Sequence, residues 1–321
     1  VQSSSTFTFN KLVIFGVGLI GGSLALALRA AGCRGTVVGV GRRAHSLERA
    51  VQLGVIDSAL SLDNPDVFRL AAQDADYVIC AAPVAQTLPL LRGLAPWLSP
   101  HTVVSDVGST KSDALDAAHL GLGERFAQFV PAHPIAGREA SGVDAALADL
   151  YEGRNVVLCP MPENAPQAVA AIASMWAATG ARVSQMSAAR HDAVFAAVSH
   201  LPHVLAFAML EHVLRSEHTG QKLEYAGTGF RDFSRIAAAS PEMWRDICAA
   251  NRTALLGEID AYRGVLDELR EAIDAGDTTA LGAVFARASA ARAAWGERRA
   301  AAAAAGIAAG TEADPGAEIS E

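Results

Sequence analysis

Cysteine is scarce in this chain of 321 residues: Cys33, Cys80, Cys159 and Cys248 are far apart and form no C-x-x-C pair. That spacing excludes a disulfide framework or a zinc ribbon and leaves reduced core cysteines in a cytoplasmic protein as the expectation. Lysine is rarer still, with Lys11, Lys111 and Lys222 alone. Positive charge also falls short, 26 Lys and Arg against 34 Asp and Glu, a formal net charge of −8. Such a balance excludes nucleic acid and an anionic membrane surface as the main partner, but not a local basic pocket for a small anionic substrate. Unbroken hydrophobic runs are missing too. The most apolar long stretch, 193–210, is interrupted by Ser199, His200, Pro202 and His203, so it reads as a buried helix and not as a membrane span. Residues 1–10 carry neither the cationic start nor the apolar core of a secretory signal.

What the chain does have is material for a core, with 51% hydrophobic residues and length for about two domains. Its organising stretch is Lys11-Leu12-Val13-Ile14-Phe15 running into Gly16-x-Gly18-x-x-Gly21, followed by a small-residue helix pattern. A strand feeding a glycine turn into a helix is what a dinucleotide pyrophosphate requires. Gly16 permits the turn, Gly18 lets the backbone approach the phosphates, and Gly21 lets helix and strand pack closely. Leu19 and Ile20 complete that loop. A second strand, 36–40, ends at Gly41, where NAD sites usually place a carboxylate for the ribose hydroxyls; here Arg42 and Arg43 follow instead. Two cations in place of an acid suit a 2′-phosphate, so NADP is favoured and NAD stays open; the alternative is a pair of solvated loop charges. A third strand, 76–83, ends in Ala82 and Pro83, small enough to leave room for the cofactor.

Further strands at 102–106 and 129–131 make the first part an α/β Rossmann-type, doubly wound parallel sheet. Two short strand candidates, 155–159 and 181–183, flank a helix, and from residue 188 onward the pattern is helical, with a kink expected at Pro202. The expected division is a tail over 1–9, a dinucleotide-binding domain over 10–185, an all-α dimerisation domain over 186–300 and a tail over 301–321. A homodimer through the helices fits their amphipathic spacing.

The candidate chemistry begins with His133, held on a turn by Pro134. It reads as a general base near neutrality or as a histidine bonding its own loop. Ser109 reads as a residue orienting such a base, or as the N-cap of the helix containing Lys111. Asp192, Ser199 and His203 share one helix face with His200 to one side, a set that also reads as a polar stripe. His191, His200 and His203 lack the carboxylate or cysteine partners of a metal site, and no metal is expected. In Gly227-Thr-Gly-Phe-Arg-Asp-Phe-Ser-Arg235, flexible backbone and a guanidinium suit carboxylate capture, or Arg235 pairs with a surface acid.

Taken together, these residues resemble the prephenate/arogenate dehydrogenase family of tyrosine biosynthesis. The match rests on Gly16-Val-Gly-Leu-Ile-Gly-Gly-Ser23, Asp106-Val-Gly-Ser-Thr-Lys111, His133-Pro-Ile-Ala-Gly137 and Ser199-His-Leu-Pro-His203, with Gly229-Phe-Arg-Asp-Phe-Ser-Arg235 and Met243-Trp-Arg-Asp246 further along. The resemblance implies oxidative decarboxylation of prephenate or arogenate with hydride transfer to NAD(P). It also implies His133 as base, Ser109 as its orienting partner, His203 as a pocket hydrogen-bonder, Arg235 as the clamp on a substrate carboxylate and Glu139 at the pocket mouth. Two other readings stand beside it. An NADP-linked β-hydroxyacid-type dehydrogenase would ordinarily need a lysine in its helical domain, where this chain has only Lys222. A dinucleotide-sensing protein without catalysis would not need His133, Ser109, His203 and Arg235 together.

Overall fold

The computed structural model describes residues 7–138 and 140–304. It divides into two compact units, one ending at Leu255 and the other beginning at Leu256. In the first unit, short β-branched runs separated by helices build β1 (Lys11–Phe15), α1 (Leu19–Ala30), β2 (Thr36–Gly41), α2 (Ala44–Gln52), β3 (Ser58–Ser61), α3 (Val67–Ala72), β4 (Tyr77–Cys80), α4 (Thr87–Leu94), β5 (Val103–Asp106), α5 (Ser112–Leu122) and β6 (Phe129–Val130). All six strands are parallel, in the order β3-β2-β1-β4-β5-β6. The order reverses between β1 and β4, and ligands of such sheets bind outside the strands' carboxyl ends at that point. The doubly wound parallel sheet expected from the sequence is therefore present. It contains one strand that the residue pattern does not announce: β3 lies at the sheet edge, half to fully exposed, with serine at both ends.

The single strand expected at 129–131 is two. Pro131 has no amide to give a ladder, and there the chain leaves the first sheet. It continues as β7 (Ala132–Pro134), antiparallel to β8 (Asn155–Leu158), which pairs in parallel with β9 (Arg182–Gln185) across α6 (Pro166–Ala178). This second sheet is tied to the first nucleotide-side helix. Tyr151 donates its hydroxyl to the Ile20 carbonyl at 2.6 Å, and the Ser23 hydroxyl accepts the Leu147 amide at 2.9 Å.

Helices follow: α7 (Ala188–Phe195), α8 (Leu201–Leu214), α9 (Thr219–Glu224), α10 (Thr228–Ser234), α11 (Pro241–Ala250), α12 (Arg252–Asp274) and α13 (Thr278–Ala304). Between α7 and α8 the backbone makes a π-turn over Ala196–His200, so Ala188–Leu214 is one continuous helix. The wide turn is the form taken by the disturbance expected at Pro202. It gives the ring room where an α-turn would press it against a carbonyl and demand an absent N–H. By length and composition this helix could cross a membrane, with mean hydropathy 1.8, yet its most apolar window is only 28% buried. Its inward side carries His191, Asp192 and His200 among Phe195, Ala196, Leu201 and Ala206, while Val194, Val198 and Leu214 face outward, so the stretch expected as a buried helix is buried on one side only.

Two boundaries also shift. Phe7 and Phe9 belong to the core instead of a tail, and α13 takes in 301–304; residues 1–6 and 305–321 lie outside the described residues. In the second unit, Val265, Leu266, Ile273 and Phe285 are exposed, and the Trp295 ring lies 4.9 and 5.2 Å from the guanidinium carbons of Arg292 and Arg299.

Candidate active site

The glycine loop after β1 behaves as its spacing requires. Gly16 has φ +97°, and a Cβ on it would meet the Ala81 carbonyl oxygen at 2.5 Å. A Cβ on Gly21 would run into the Gly16 carbonyl and meet Ile14 Cγ2 at 2.8 Å, so only glycine lets α1 sit this close to β1. Gly18 is different, because a Cβ there would meet nothing within 4 Å. It stands at the N-terminus of α1, which has no side-chain cap and no acid in its first turn, leaving amides and dipole open to an anion. This end opens on a cleft of about 460 Å³ lined by Gly16, Gly18, Gly41, Arg42, Arg43, Ala82 and Pro83, with Ser240 from the start of α11. Leu19 and Ile20 are the first two residues of α1. No carboxylate lines the cleft among the described residues, and two arginines do. These residues fit a dinucleotide phosphate chain.

One strand further along the same carboxyl edge, β5 ends in buried Asp106. Its carboxylate accepts the Gly108 amide at 2.8 Å and the Ala132 amide at 3.1 Å, and it pairs with the Lys111 ammonium. Lys111 is fully buried and donates its remaining reach to the Ala132 carbonyl at 2.9 Å. The pair thus fastens the loop carrying Ser109 to the strand carrying His133.

His133, buried on β7, has its Nδ1 2.8 Å from His191 Nε2, and His191 Nδ1 lies 2.8 Å from Asp192 Oδ1. The Phe195 ring covers both imidazoles, with centroids at 4.8 and 4.4 Å. Asp192 also accepts the backbone amides of Lys111 and Ser112 at 2.8 Å each, capping α5 from another helix. That corrects one alternative for Ser109: it is not the cap of α5, because Asp192 does that work. Burial alone would raise the Asp192 carboxyl, but hydrogen bonds from His191, Ser112 and Lys111 pull it down to about 2. Burial, with the His191 ring, the Lys111 ammonium and the His200 ring adding to it, holds His133 well below the ordinary imidazole value. His191 is lowered mainly by burial, although Asp192 opposes the shift. Both rings are thereby biased towards the neutral form.

His200 does not lie aside from the polar set. The π-turn carries it inward to full burial, where Nδ1 lies 3.0 Å from Asn251 Nδ2, and Asn251 donates also to the Asp192 carbonyl at 2.8 Å. Burial drops His200 to about 4, and the Ser109 backbone is among its hydrogen-bonding neighbours. Ser109 itself is half-buried in the loop after β5. His203 stacks on Trp244, centroids 3.7 Å apart, with its Nδ1 2.9 Å from the Ser199 carbonyl. Burial lowers it, and the positive charge of Arg235 adds to that. His200 is among the charges that lower His133, His203 among those that lower His200, and Arg235 among those that lower His203. Glu139 lies outside the described residues. No group of three or more metal-ligating side chains occurs among the described residues; His133 Nδ1 and both His191 nitrogens are engaged with each other and with Asp192, and His200 Nδ1 with Asn251.

Sequence reasoning did not give His191, Asp192, Lys111 or Asn251 a place in this cluster. The adjacent His191-Asp192 pair was the one visible signal, since a carboxylate beside a histidine fixes its tautomer wherever the two meet.

Comparisons with known proteins agree with this geometry. Residues 24–185 match the family model described as prephenate dehydrogenase, nucleotide-binding domain, and residues 187–287 match prephenate dehydrogenase, dimerization domain. Prephenate dehydrogenase of Bacillus subtilis is 36% identical over 270 residues, covering 84% of this chain and 71% of that protein. Cyclohexadienyl dehydrogenase of Zymomonas mobilis is 34% identical over 272 residues, 84% of this chain and 90% of that one. Among solved structures, prephenate dehydrogenase from A. aeolicus in complex with hydroxyphenyl propionate and NAD+ superposes with a TM-score of 0.82 at 34% identity, covering 88% of this chain and 97% of the other. A six-stranded nucleotide sheet, a histidine cluster at its carboxyl edge and these matches over both parts lead to one assignment: the chain belongs to the prephenate dehydrogenase family.

Proposed function

We propose that this protein is an oxidoreductase that decarboxylates prephenate or arogenate oxidatively, with NADP as the preferred acceptor. The observation that carries the reading is a buried His133 on β7, fastened to the carboxyl end of β5 by the Asp106–Lys111 pair and hydrogen-bonded through His191 to Asp192. Bound in the cleft, the dinucleotide supplies the hydride acceptor. His133 takes the proton of the substrate hydroxyl, so that its oxygen becomes a carbonyl as hydride leaves the same carbon; the ring carboxylate then departs as CO2, its electron pair aromatises the ring to a phenolate, and the phenolate takes the proton back from His133. The products are 4-hydroxyphenylpyruvate from prephenate, or tyrosine from arogenate. Aromatisation drives the reaction, so the protein has mainly to position and polarise. Arg235 clamps a substrate carboxylate, His203 hydrogen-bonds in the pocket and Ser109 orients His133.

Arg42 and Arg43, with no acid among the described residues of the cleft wall, support NADP; the solved relative from A. aeolicus holds NAD+. The outward apolar side of Ala188–Leu214 and the match to a dimerization domain support a homodimer. Three buried, unpaired cysteines and a half-buried fourth fit the reducing cytoplasm.

The test is an absorbance assay for reduced nicotinamide with prephenate and arogenate, each with NAD and NADP. Turnover with at least one substrate and better use of NADP are expected. No turnover with either substrate overturns the activity, and equal or better use of NAD overturns the cofactor preference. Arg235→Gln is expected to raise the substrate KM by about 10- to 100-fold with a far smaller change in kcat, as loss of a charged hydrogen bond should. Steady-state kinetics check this, and an unchanged KM rules out the clamp.

A further inference from the structure

We propose that His191 and Asp192 act as a relay behind His133, fixing which of its nitrogens faces the substrate; the inference rests on the function proposed above. The geometry determines the direction of each bond. Asp192 is ionised and can only accept, so His191 Nδ1 carries the proton between them. A neutral His191 then presents a bare Nε2, and the proton on the 2.8 Å bond to it belongs to His133 Nδ1. His133 is left with its lone pair on Nε2, the only ring atom free to accept the hydroxyl proton. Were the tautomer reversed, Nε2 would hold a hydrogen and no base would be present.

The relay is anchored at its far end. Asp192 is held by the Lys111 and Ser112 amides, and Asn251 holds its carbonyl. The ring of His191 is fully buried against Phe195. When His133 accepts the proton at Nε2, the substrate O–H bond breaks, an N–H bond forms, and the new positive charge is shared along hydrogen bonds that end on a carboxylate. No proton passes from His133 to His191. The charged and titratable groups facing this pair are Lys111, Asp106, Asp192 and His200, and only Asp192 lies in line with the bond. His191 and Asp192 are positioning residues in this scheme, because neither touches the reacting atoms.

The wild-type chain can be tested directly. With 15N-labelled histidine and His133→Asn for assignment, imidazole NMR of the full chain should find His133 protonated at Nδ1 near neutral pH. Protonation at Nε2 overturns the relay. Kinetics supply the second readout. His191→Gln can accept from His133 and donate to Asp192, so its kcat should fall far less than that of His191→Leu, which can do neither. Asp192→Asn removes the carboxylate on which the relay ends and sets an N–H against donors that it now accepts, either Ser112 N or His191 Nδ1 with Lys111 N, and should lower kcat by about 100-fold or more with KM nearly unchanged. Wild-type kcat in Asp192→Asn overturns the relay. Should that variant lose its cooperative melt, the tautomer spectrum of the wild type decides. A dead His133→Asn beside a fully active Asp192→Asn refutes the relay alone, whereas an active His133→Asn refutes the function on which it rests.

Discussion

His133→Asn is expected to turn over about 100- to 10,000-fold more slowly than the wild-type enzyme, the loss that follows removal of a general base. Asparagine is chosen because its amide can still donate to His191 Nε2 and fill much of the space beneath Phe195. Packing is thus kept while the basic lone pair is lost. The dinucleotide cleft is built from other residues, so the dissociation constant for the nucleotide, read by fluorescence titration, should not move. The pH profile gives the sign of the wild-type effect. Because burial and neighbouring positive groups hold His133 well below the usual imidazole range, it remains a free base as pH falls through that range. The acid limb of kcat should therefore lie below the ordinary imidazole pKa. Near-normal turnover in the variant removes His133 from the chemistry.

Lys111→Met should be the most damaging substitution for stability, at about 3–5 kcal/mol, because it leaves a buried carboxylate without its partner. Asp106 sits at 2% exposure and Lys111 at 0%, so water cannot replace the ammonium. Methionine has nearly the length of lysine and creates little void, so the loss reports charge and not packing. The same change frees the Ala132 carbonyl and loosens the strand that carries His133. Urea unfolding measures it, and the double variant Lys111→Met/Asp106→Asn should regain part of the loss by removing the orphaned charge. A single-variant loss below about 1 kcal/mol would mean that the pair contributes no more than an exposed one.

The nucleotide sheet was legible because its signals are local. Strand β1, the turn at Gly16 and the close packing at Gly21 all follow from a dozen consecutive residues. Strand β3 escaped because a short, serine-ended edge strand has no apolar alternation to display. Among the site residues, Arg42, Arg43, Ala82 and Pro83 line the cleft as their place at strand ends suggested. The histidine relay was hidden for a different reason. It joins β7 to α7 over a separation of 58 residues, which no periodicity encodes. His200 was placed to one side because a regular 3.6-residue repeat was carried through a segment whose backbone departs from it. Lys111 gave the opposite difficulty: a lysine reads as surface, and only the acid five residues earlier pays for its burial.

The π-turn over Ala196–His200 divides one long helix into two independently phased halves. Deleting a single residue there would close the loop to an α-turn and spin every later side chain by about 100° around the axis. His191 and Asp192, upstream, would keep their bearings, while His203 would swing off the Trp244 ring. The extra residue therefore acts as a clutch in the screw, letting the segment that holds His133 and the segment that carries His203 be set separately.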